Sequence, residues 1–282
     1  YENPRGFSIR FLFAKLRDKP RNKPYTNTLC LIPRKMNISP KKPSDETIIW
    51  RYMGLDKFLD LLLNDTITFT KVSIASDKNE IKWILKNLED TDEYKTHSEG
   101  ATKHIEKLRD TSYISCWTMK ERESRPLWAT YLDNSKQGVA IKTSVKKLMN
   151  SVQWDDFGFS YQVVDYRSDF TFEELQSLNV AINTKNPAYV EESEVRFHIF
   201  CDDSRLPDRP EFVEMKKIDE RKIKKRSENG KTVKFNINLD YLVSNIMISP
   251  FCSDWQKKNI ERLIKDYHPE LMNRIFDSTI NE

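Results

Sequence analysis

The segment from residue 47 to residue 70 constrains the fold more than any other part of the chain. It begins with an apolar, partly β-branched run, TIIWRYM, which is typical of a buried strand. It ends with TITFT, whose alternation indicates a second strand. The residues in between predict a helix with one apolar stripe, formed by Leu55, Phe58, Leu59, Leu62 and Leu63. This order of elements favours a fold in which helices pack on a sheet.

Short segments of the same two kinds continue to the end of the chain. Their periodicity predicts strands at 112–118, 138–142, 162–166 and 194–200, and helices at 125–133 and 144–149. Capping boxes predict that two further helices begin near Thr171 and Ser253. We therefore predict a single α+β domain over residues 45–282, with a mixed, mainly antiparallel sheet and flanking helices.

Two charged stretches are expected to be exposed to solvent, and the second of them to protrude from this domain. Residues 78–109 are helical in propensity but charged on most faces, which predicts two solvated helices with a loop near Gly100. An Asn-Gly pair at 229–230 favours a tight turn, so residues 213–237 are predicted to form a basic hairpin.

The formal net charge of +4 is the sum of two unlike parts. Residues 1–44 contain eleven Lys or Arg against two acids, so this segment carries +9 and the rest of the chain −5. The same segment holds six of the twelve prolines, a composition that suits an extended arm better than a packed layer. We predict a basic N-terminal arm over residues 1–44.

Several function classes lack their sequence signatures. No window approaches the roughly 18–20 uncharged apolar residues of a membrane-spanning helix, and no small-residue cleavage site follows the N-terminal apolar run, so we expect a cytoplasmic protein. Four scattered cysteines predict neither a disulfide framework nor a metal site. The chain has no glycine-rich phosphate loop, so any nucleotide is expected to be held by side chains.

The most suggestive local pattern is EESEVRF, at residues 191–197. In an extended segment, residues two apart share a face, so Glu192, Glu194 and Arg196 are expected to project together. One of two close carboxylates has its pKa raised by the other, whereas a neighbouring guanidinium lowers the pKa of a carboxylate. Such opposed shifts are what an acid and a base require. The alternative is an exposed strand edge whose charges repel the edges of other sheets.

In four segments, the chain resembles the uncharacterised bacterial domain-of-unknown-function family 2971. These segments are WRYMGLDKFLDLLLNDTITFTKVSIASDKNE, YISCWT with LWATYLDNSKQGVAI, NPAYVEESEVRF, and SNIMISPFCSDWQKKNIERLI. The residues on family positions are Arg51, Asp77, Glu80, Ser115, Cys116, Trp128, Tyr131, Gly138, Glu192, Glu194 and Arg196. Lys78, Asn79 and Tyr189 depart from the family pattern. The resemblance covers residues 47–280, and by itself it implies little chemistry.

A more distant similarity concerns the order of three residue types. An arginine on the first core strand, a serine on a middle strand and a glutamate pair near a later strand resemble the layout of ADP-ribosyltransferases, which bind NAD without a glycine-rich loop. The similarity implies that Arg51 holds a phosphate or the nicotinamide ribose of NAD, and that Ser115 orients the site. The other cofactor-binding candidates are Tyr52, Trp117, Tyr131 and Arg196.

The same similarity assigns the catalytic roles. It implies that Glu194 stabilises an oxocarbenium-like transition state, and that Glu192 positions or deprotonates the acceptor, which is a protein or a nucleic acid. The alternative is that Arg51 forms a buried ion pair with one of these glutamates and that no turnover follows.

Two other function classes stay open. Basic residues interleaved with aromatic ones in the arm, together with the basic hairpin, favour electrostatic binding of nucleic acid. The candidate contacts are Arg17, Lys19, Arg21, Lys23, Arg34, Lys35, Lys222, Lys224, Lys225 and Arg226. The third class is a non-catalytic protein-interaction module of a phage-defence or toxin–antitoxin system.

Overall fold

The computed structural model describes residues 41–75, 86, 92–132, 135–154, 159–169, 171, 174, 182–200, 227 and 229–280. All the predicted nucleic-acid-binding residues lie outside these ranges, as do most of the basic arm and residues 213–226 of the predicted hairpin. Asp77 and Glu80 also lie outside them.

The predicted strand–helix–strand unit is present near residue 50. Strand β1 (Ile48–Gly54) leads directly into helix α1 (Leu55–Asn64), and strand β2 (Thr66–Lys71) follows. Leu63, which we expected in the apolar stripe of α1, is 52% exposed. The helix ends at Asp65, which is left-handed with φ 46° and whose N–H donates to the Leu61 carbonyl, a common way for helices to end.

The strands and helices predicted near 112–118, 125–133, 138–142, 144–149 and 194–200 are present, whereas the short elements at 72–75, 184–185 and 187–192 were not predicted. Further strands are β3 (Ser112–Thr118), β4 (Gly138–Ser144), β5 (Phe159–Val163), β6 (Asp165–Tyr166), β7 (Thr184–Lys185), β8 (Glu194–Phe200), β9 (Thr232–Asn236), β10 (Asn245–Ile248) and β11 (Ile275–Phe276). Further α-helices are α2 (Val72–Ala75), α3 (Asp92–Asp110), α4 (Arg125–Leu132), α5 (Val145–Ser151), α6 (Leu239–Leu242) and α7 (Asp254–Tyr267). Short 3-10 helices lie at Pro187–Glu192 and Pro269–Arg274.

The strands form a mixed, mostly antiparallel sheet, so the predicted α+β fold is confirmed. Its order is β11-β10-β4-β1-β3-β2-β9, with β8 beside β3 and β5 beside β8. The β10–β11 pair is parallel, and the other pairs of this sheet are antiparallel. A separate parallel pair joins β6 and β7.

The sheet divides into two branches at β3. Strand β8 pairs with β3 along its full length, so β1 and β2 share the other edge of β3. There, Trp50 of β1 pairs with Thr118, whereas Thr70 and Lys71 of β2 pair near the opposite end of β3. We call β1, β4, β10 and β11 the first branch, and β2 and β9 the second branch. Helix α1 connects the two branches, and a cleft lies between them.

Strand residues alternate between two faces of the sheet, which we name by what covers them. On the core face, strand residues such as Ile49 and Phe197 join the larger hydrophobic core together with Phe58 of α1. On the α4 face, Trp50 and Tyr52 pack against Trp128 of α4. Each face therefore buries its own apolar cluster, and the side chains of one strand are shared between them.

Two local expectations differ from the structure or reach only part of it. Gly100 lies inside the continuous helix α3, so the loop predicted there is wrong. Apart from the adjacent residues and the helix's own backbone, no described heavy atom lies within 4 Å of the point that a Cβ would occupy at this glycine. Gly230 does turn with φ 68° before β9, but the other flank of the predicted hairpin lies outside the described residues. In the part of the chain that the structure describes, no helix has the length and apolar character needed to cross a bilayer.

Candidate binding cleft at Arg51

A cavity of about 410 Å³ lies in the cleft between the two branches. Its apolar lining comes from both branches, α1, β3 and α6, and consists of Met53, Leu61, Ile67, Trp117, Ile141 and Leu242. Its polar lining consists of Arg51, Asp56, Lys57, Asp60, Thr66, Thr68, Thr70, Thr232 and Lys234. The cavity thus combines an apolar interior with charged and hydroxyl groups, as small-molecule sites commonly do.

Arg51 connects the three strands that surround the cleft. It projects from β1, donates from Nη1 to Ser115 Oγ on β3 at 3.0 Å, and lies 3.4 Å through Nη2 from the Thr68 carbonyl on β2. Its guanidinium also lies over the ring of Trp117, 5.6 Å from the ring centroid. The indole N–H of Trp117 donates to the same Ser115 hydroxyl at 3.2 Å. Ser115 therefore fixes both the cation and the aromatic ring beside it.

The charge of Arg51 has no carboxylate partner among the described residues. The ion pairs of this part of the chain do not include it, although its side chain is partly buried. Burial lowers the pKa of Arg51, which reflects the cost of holding a guanidinium away from water. Because a guanidinium has five N–H donors, Arg51 keeps donors beyond the two that protein oxygens accept.

Threonines form the wall of the cleft on the second branch. Thr70 and Thr232 lie opposite each other in the β2–β9 pair, and Thr68 lies opposite Lys234. Lys234 Nζ contacts Asp60 Oδ1 of α1 at 2.6 Å, and the same oxygen accepts from Asn64 Nδ2 at 2.8 Å. This ion pair bridges α1 and β9 beside the cavity.

The predicted glutamates belong to a separate, buried cluster of charges. Glu194 and Arg196 are each 1% exposed, and Arg196 Nε lies 3.0 Å from Glu194 Oε1. Lys185 of β7 lies 2.8 Å from Glu194 Oε2 and 2.5 Å from Glu192 Oε2. The guanidinium of Arg196 also donates to the Ile182 carbonyl. Glu194 and Arg196 share a face of β8, as the sequence predicts. The prediction that Glu192 projects beside them from one extended segment is wrong, because Glu192 ends a 3-10 helix and joins the cluster through Lys185, which the sequence did not indicate.

The electrostatics of this cluster hold its charges fixed. Burial alone raises the pKa of Glu194, but Arg196 and Lys185 outweigh it and lower that pKa to about 2. Burial opposes the charge of Lys185, yet the Glu194 carboxylate raises the lysine's pKa. Burial also raises the pKa of the neighbouring Cys116 thiol. A carboxylate that is held ionised in this way is not suited to exchange protons near neutral pH.

The two groups of residues lie on opposite faces of the sheet. Ser115 is paired with Phe197 and lies on the core face together with Arg51, whereas Glu194 is paired with Thr118, which is paired with Trp50 of the α4 face. Arg51, Ser115 and Trp117 thus form one site, and the glutamates do not line it. The alternative ion pair between Arg51 and either glutamate is also not formed among the described residues.

Of the remaining cofactor-binding candidates, Tyr52 and Tyr131 lie on the α4 face. Tyr52 stacks on Tyr131 at 6.2 Å between centroids and meets the edge of Trp128 at 5.0 Å. The Tyr52 hydroxyl accepts from the Ser124 N–H, and burial raises the pKa of both tyrosines. Trp117 is 2% exposed and its ring lies under Arg51, so it offers no free surface for stacking.

Sequence reasoning missed two kinds of site residue. Lys185 has no local signal, because nothing in its neighbourhood indicates that β7 reaches the Glu194 carboxylate. The threonines of the cleft wall do have a local signal in the sequence. Thr66, Thr68 and Thr70 alternate with Ile67 and Phe69, so a strand places the threonines on one face and the apolar residues on the other.

Comparison of the chain with protein-family models, with curated proteins and with solved structures found no match. The resemblance to domain-of-unknown-function family 2971 and the ADP-ribosyltransferase-like order therefore stay predictions from the sequence.

Proposed function

We propose that the cleft between the two branches binds a small molecule through an anionic group held by Arg51. One observation carries the proposal: a partly buried guanidinium without a carboxylate partner, among the described residues, lines a cavity of about 410 Å³. Cavities of about 300–1,000 Å³ are usual for small-molecule sites.

The physical reason is the cost of an uncompensated charge. A buried charge is costly unless it is paired and hydrogen-bonded, and a bound anion would supply both. The planar fork of a guanidinium matches the oxygens of a phosphate or a carboxylate. The bond to Ser115 Oγ and the contact with Trp117 hold Arg51 in place, so little side-chain entropy is lost when the ligand arrives.

NAD, the cofactor predicted from the sequence, remains one candidate ligand because its diphosphate is anionic. The proposal does not include ADP-ribosyl transfer by Glu192 and Glu194. These carboxylates lie on the face opposite Arg51 and are held by Lys185 and Arg196.

The test is calorimetric titration of the protein with inorganic phosphate, pyrophosphate and NAD. We expect Arg51→Met to weaken binding of whichever anion the protein takes by about tenfold to a hundredfold, since a hydrogen bond to a charged group contributes roughly 1.5–3 kcal/mol. Arg262→Met is the matched control, because Arg262 is 81% exposed on α7 and is not part of the cleft lining. Equal affinities of the wild type and Arg51→Met, or no binding of any anion, would contradict the proposal.

We also propose nucleic acid as a partner of the basic arm. This rests on the composition of residues 1–44, where eleven cations stand against two acids and lie among aromatic residues. Such binding would be electrostatic.

A further inference from the structure

The wall of the cleft on the second branch carries a row of hydroxyl groups. On β2, Ile67 and Phe69 belong to the larger core, and the residues that alternate with them, Thr68 and Thr70, line the cleft. Thr232 of β9 adds a third hydroxyl opposite Thr70. These three threonines are partly exposed, and in the described part of the chain their hydroxyls make no hydrogen bond.

Free hydroxyls in a partly enclosed wall favour a ligand that carries hydroxyls of its own. Each threonine hydroxyl donates one hydrogen bond and accepts up to two, so it pairs with a polyol in either direction. An apolar ligand would instead displace water from these groups and leave them unsatisfied, which costs free energy.

The charges around the cavity limit how much negative charge the ligand brings. Among the described lining residues, Lys234 is paired with Asp60. The other charged residues of this lining are the cations Arg51 and Lys57 and the carboxylate Asp56. The described lining therefore carries one positive charge in excess. This balance suits one phosphate at Arg51, whereas a polyphosphate chain would place further negative charge near the two aspartates.

Among the described residues that line the cleft, none offers a free aromatic surface for a planar base. The ring of Trp117 is 2% exposed and lies under the Arg51 guanidinium, so a nucleobase gains no aromatic face there. The lining near Arg51 is otherwise aliphatic, from Met53 and Ile141.

We propose that the ligand of the cleft is a phosphorylated sugar, with its phosphate on Arg51 and its hydroxyls on Thr68, Thr70 and Thr232. This inference rests on the proposed function of the cleft and adds the class of ligand. The chemistry it names, a ribose phosphate or a similar polyol phosphate, occurs both in free sugar phosphates and in nucleotides; the geometry favours the free sugar phosphate.

The first experiment compares four probes by calorimetry: ribose 5-phosphate, ethyl phosphate, ribose and AMP. We expect ribose 5-phosphate to bind at least tenfold more tightly than ethyl phosphate, because several hydroxyl contacts each contribute roughly 0.5–1.5 kcal/mol. Ribose alone is expected to show no binding. AMP is expected to gain nothing over ribose 5-phosphate, and a gain of tenfold or more would overturn the assignment to a free sugar.

The second experiment changes the wall. The double variant Thr70→Val with Thr232→Val keeps the shape and the β-branching but removes both hydroxyls, and we expect it to lose most of the preference for ribose 5-phosphate over ethyl phosphate. The double variant with serine at both positions is the control and is expected to keep that preference, since it retains the hydroxyls.

The outcomes separate this inference from the proposed function. If ethyl phosphate binds the wild type as tightly as ribose 5-phosphate, or if the valine variant keeps the preference, the sugar assignment is wrong and the anion site stands. If neither phosphate binds, the sugar assignment is wrong as well, and the separate titrations with inorganic phosphate, pyrophosphate and NAD decide the anion site.

Discussion

Glu194 lies between two cations on a strand face that neighbouring elements cover. Its carboxylate contacts Arg196 and Lys185, and its own N–H donates to the Tyr166 hydroxyl at 2.8 Å. A buried ion pair of this kind adds little net stability over an apolar pair, but the loss of one member leaves the others as uncompensated charges. The residue is therefore expected to matter for folding, whatever the protein binds.

The first prediction concerns Glu194→Gln. This variant leaves Arg196 and Lys185 without their shared carboxylate, and we expect it to lower the free energy of unfolding by about 3–5 kcal/mol. Urea denaturation followed by circular dichroism measures the loss. Glu191→Gln is the matched control: Glu191 is 81% exposed and pairs with Lys120 at the surface, so its loss is expected to stay below about 1 kcal/mol. A loss below about 1 kcal/mol for Glu194→Gln would show that the cluster is not a structural unit.

The second prediction follows from the lowered pKa of the same carboxylate. The folded pKa of Glu194 is about 2 against an ordinary value of 4.5, so the stability that it contributes is present above pH 4.5 and is lost as the pH falls towards 2. The wild type is therefore expected to lose stability over this window more steeply than Glu194→Gln. Unfolding midpoints in urea from about pH 6 to about pH 2.5 test the difference, and parallel curves for the two proteins would refute it.

At the scale of elements, His268 joins three helices. It lies between α7 and the 3-10 helix Pro269–Arg274, and its Nε2 is 3.0 Å from the carbonyl of Leu62 in the last turn of α1. Its Nδ1 is 2.8 Å from Glu270 Oε1. Both ring nitrogens thus face an oxygen that can only accept, and a neutral imidazole has one N–H to donate. The contacts favour the charged ring.

The third prediction is a loss of stability at high pH. Burial lowers the pKa of His268, but the bonds to Glu270 and Leu62 and the charge of Asp65 outweigh it and raise that pKa above its ordinary 6.5. Since the folded pKa is raised, the contribution is fully present below pH 6.5 and is lost as the pH rises through the folded pKa. We expect the loss to amount to about 1–2 kcal/mol, as for other cations at helix C-termini.

Two histidine variants test this prediction by urea denaturation between about pH 5.5 and about pH 9. His268→Gln removes the titration and is expected to flatten the pH dependence over that range. His104→Gln is the control, because His104 is exposed on α3 and is expected to leave the wild-type dependence unchanged. A wild-type curve that is flat, or that rises with pH, would contradict the role of the charged ring.

Individual strands such as β8 and β1 were predictable because their periodicity and apolar runs involve only neighbouring residues in the sequence. The periodicity of β8 correctly predicted that Glu194 and Arg196 share a face, and the apolar run near residue 50 correctly predicted β1. Periodicity does not tell whether a strand is covered on both faces, so the burial of Glu194 and Arg196 was not predictable. At Gly100, the low helix propensity of glycine led to the prediction of a loop, but the residues on both sides form one continuous helix through it.

At the scale of the whole molecule, the site depends on how distant segments pair. Arg51 and Ser115 were both named from the sequence, and they do meet. Their separation from Glu194 follows from the pairing of Trp50 with Thr118, because a strand shifted by one residue turns every side chain to the other face. That register, and the division of the sheet at β3, arise from long-range packing that no segment of the sequence specifies alone.

The charge of the whole molecule divides between a +9 arm and a −5 remainder, and the fourth prediction concerns this division. A polyanion is attracted by the arm and repelled by the rest, so binding of nucleic acid is expected to depend on the position of the cations and not on the net charge of +4. The arm variant replaces six cations by glutamine: Arg17, Lys19, Arg21, Lys23, Arg34 and Lys35. The control replaces six cations of the domain, with the same change of net charge: Lys103, Lys107, Lys146, Lys258, Arg262 and Lys265.

Salt titration of single-stranded DNA binding distinguishes the two variants. Each phosphate that a cation neutralises contributes about 0.7 to the slope of log affinity against log salt, so the arm variant is expected to flatten that slope by at most about 4. The control is expected to keep the wild-type slope, because the cations that it removes lie outside the arm. Equal losses in both variants would mean that only net charge matters, and an affinity that ignores salt would exclude electrostatic binding altogether. Anion binding in the cleft is expected to be the same in the arm variant as in the wild type, since the arm variant retains Arg51.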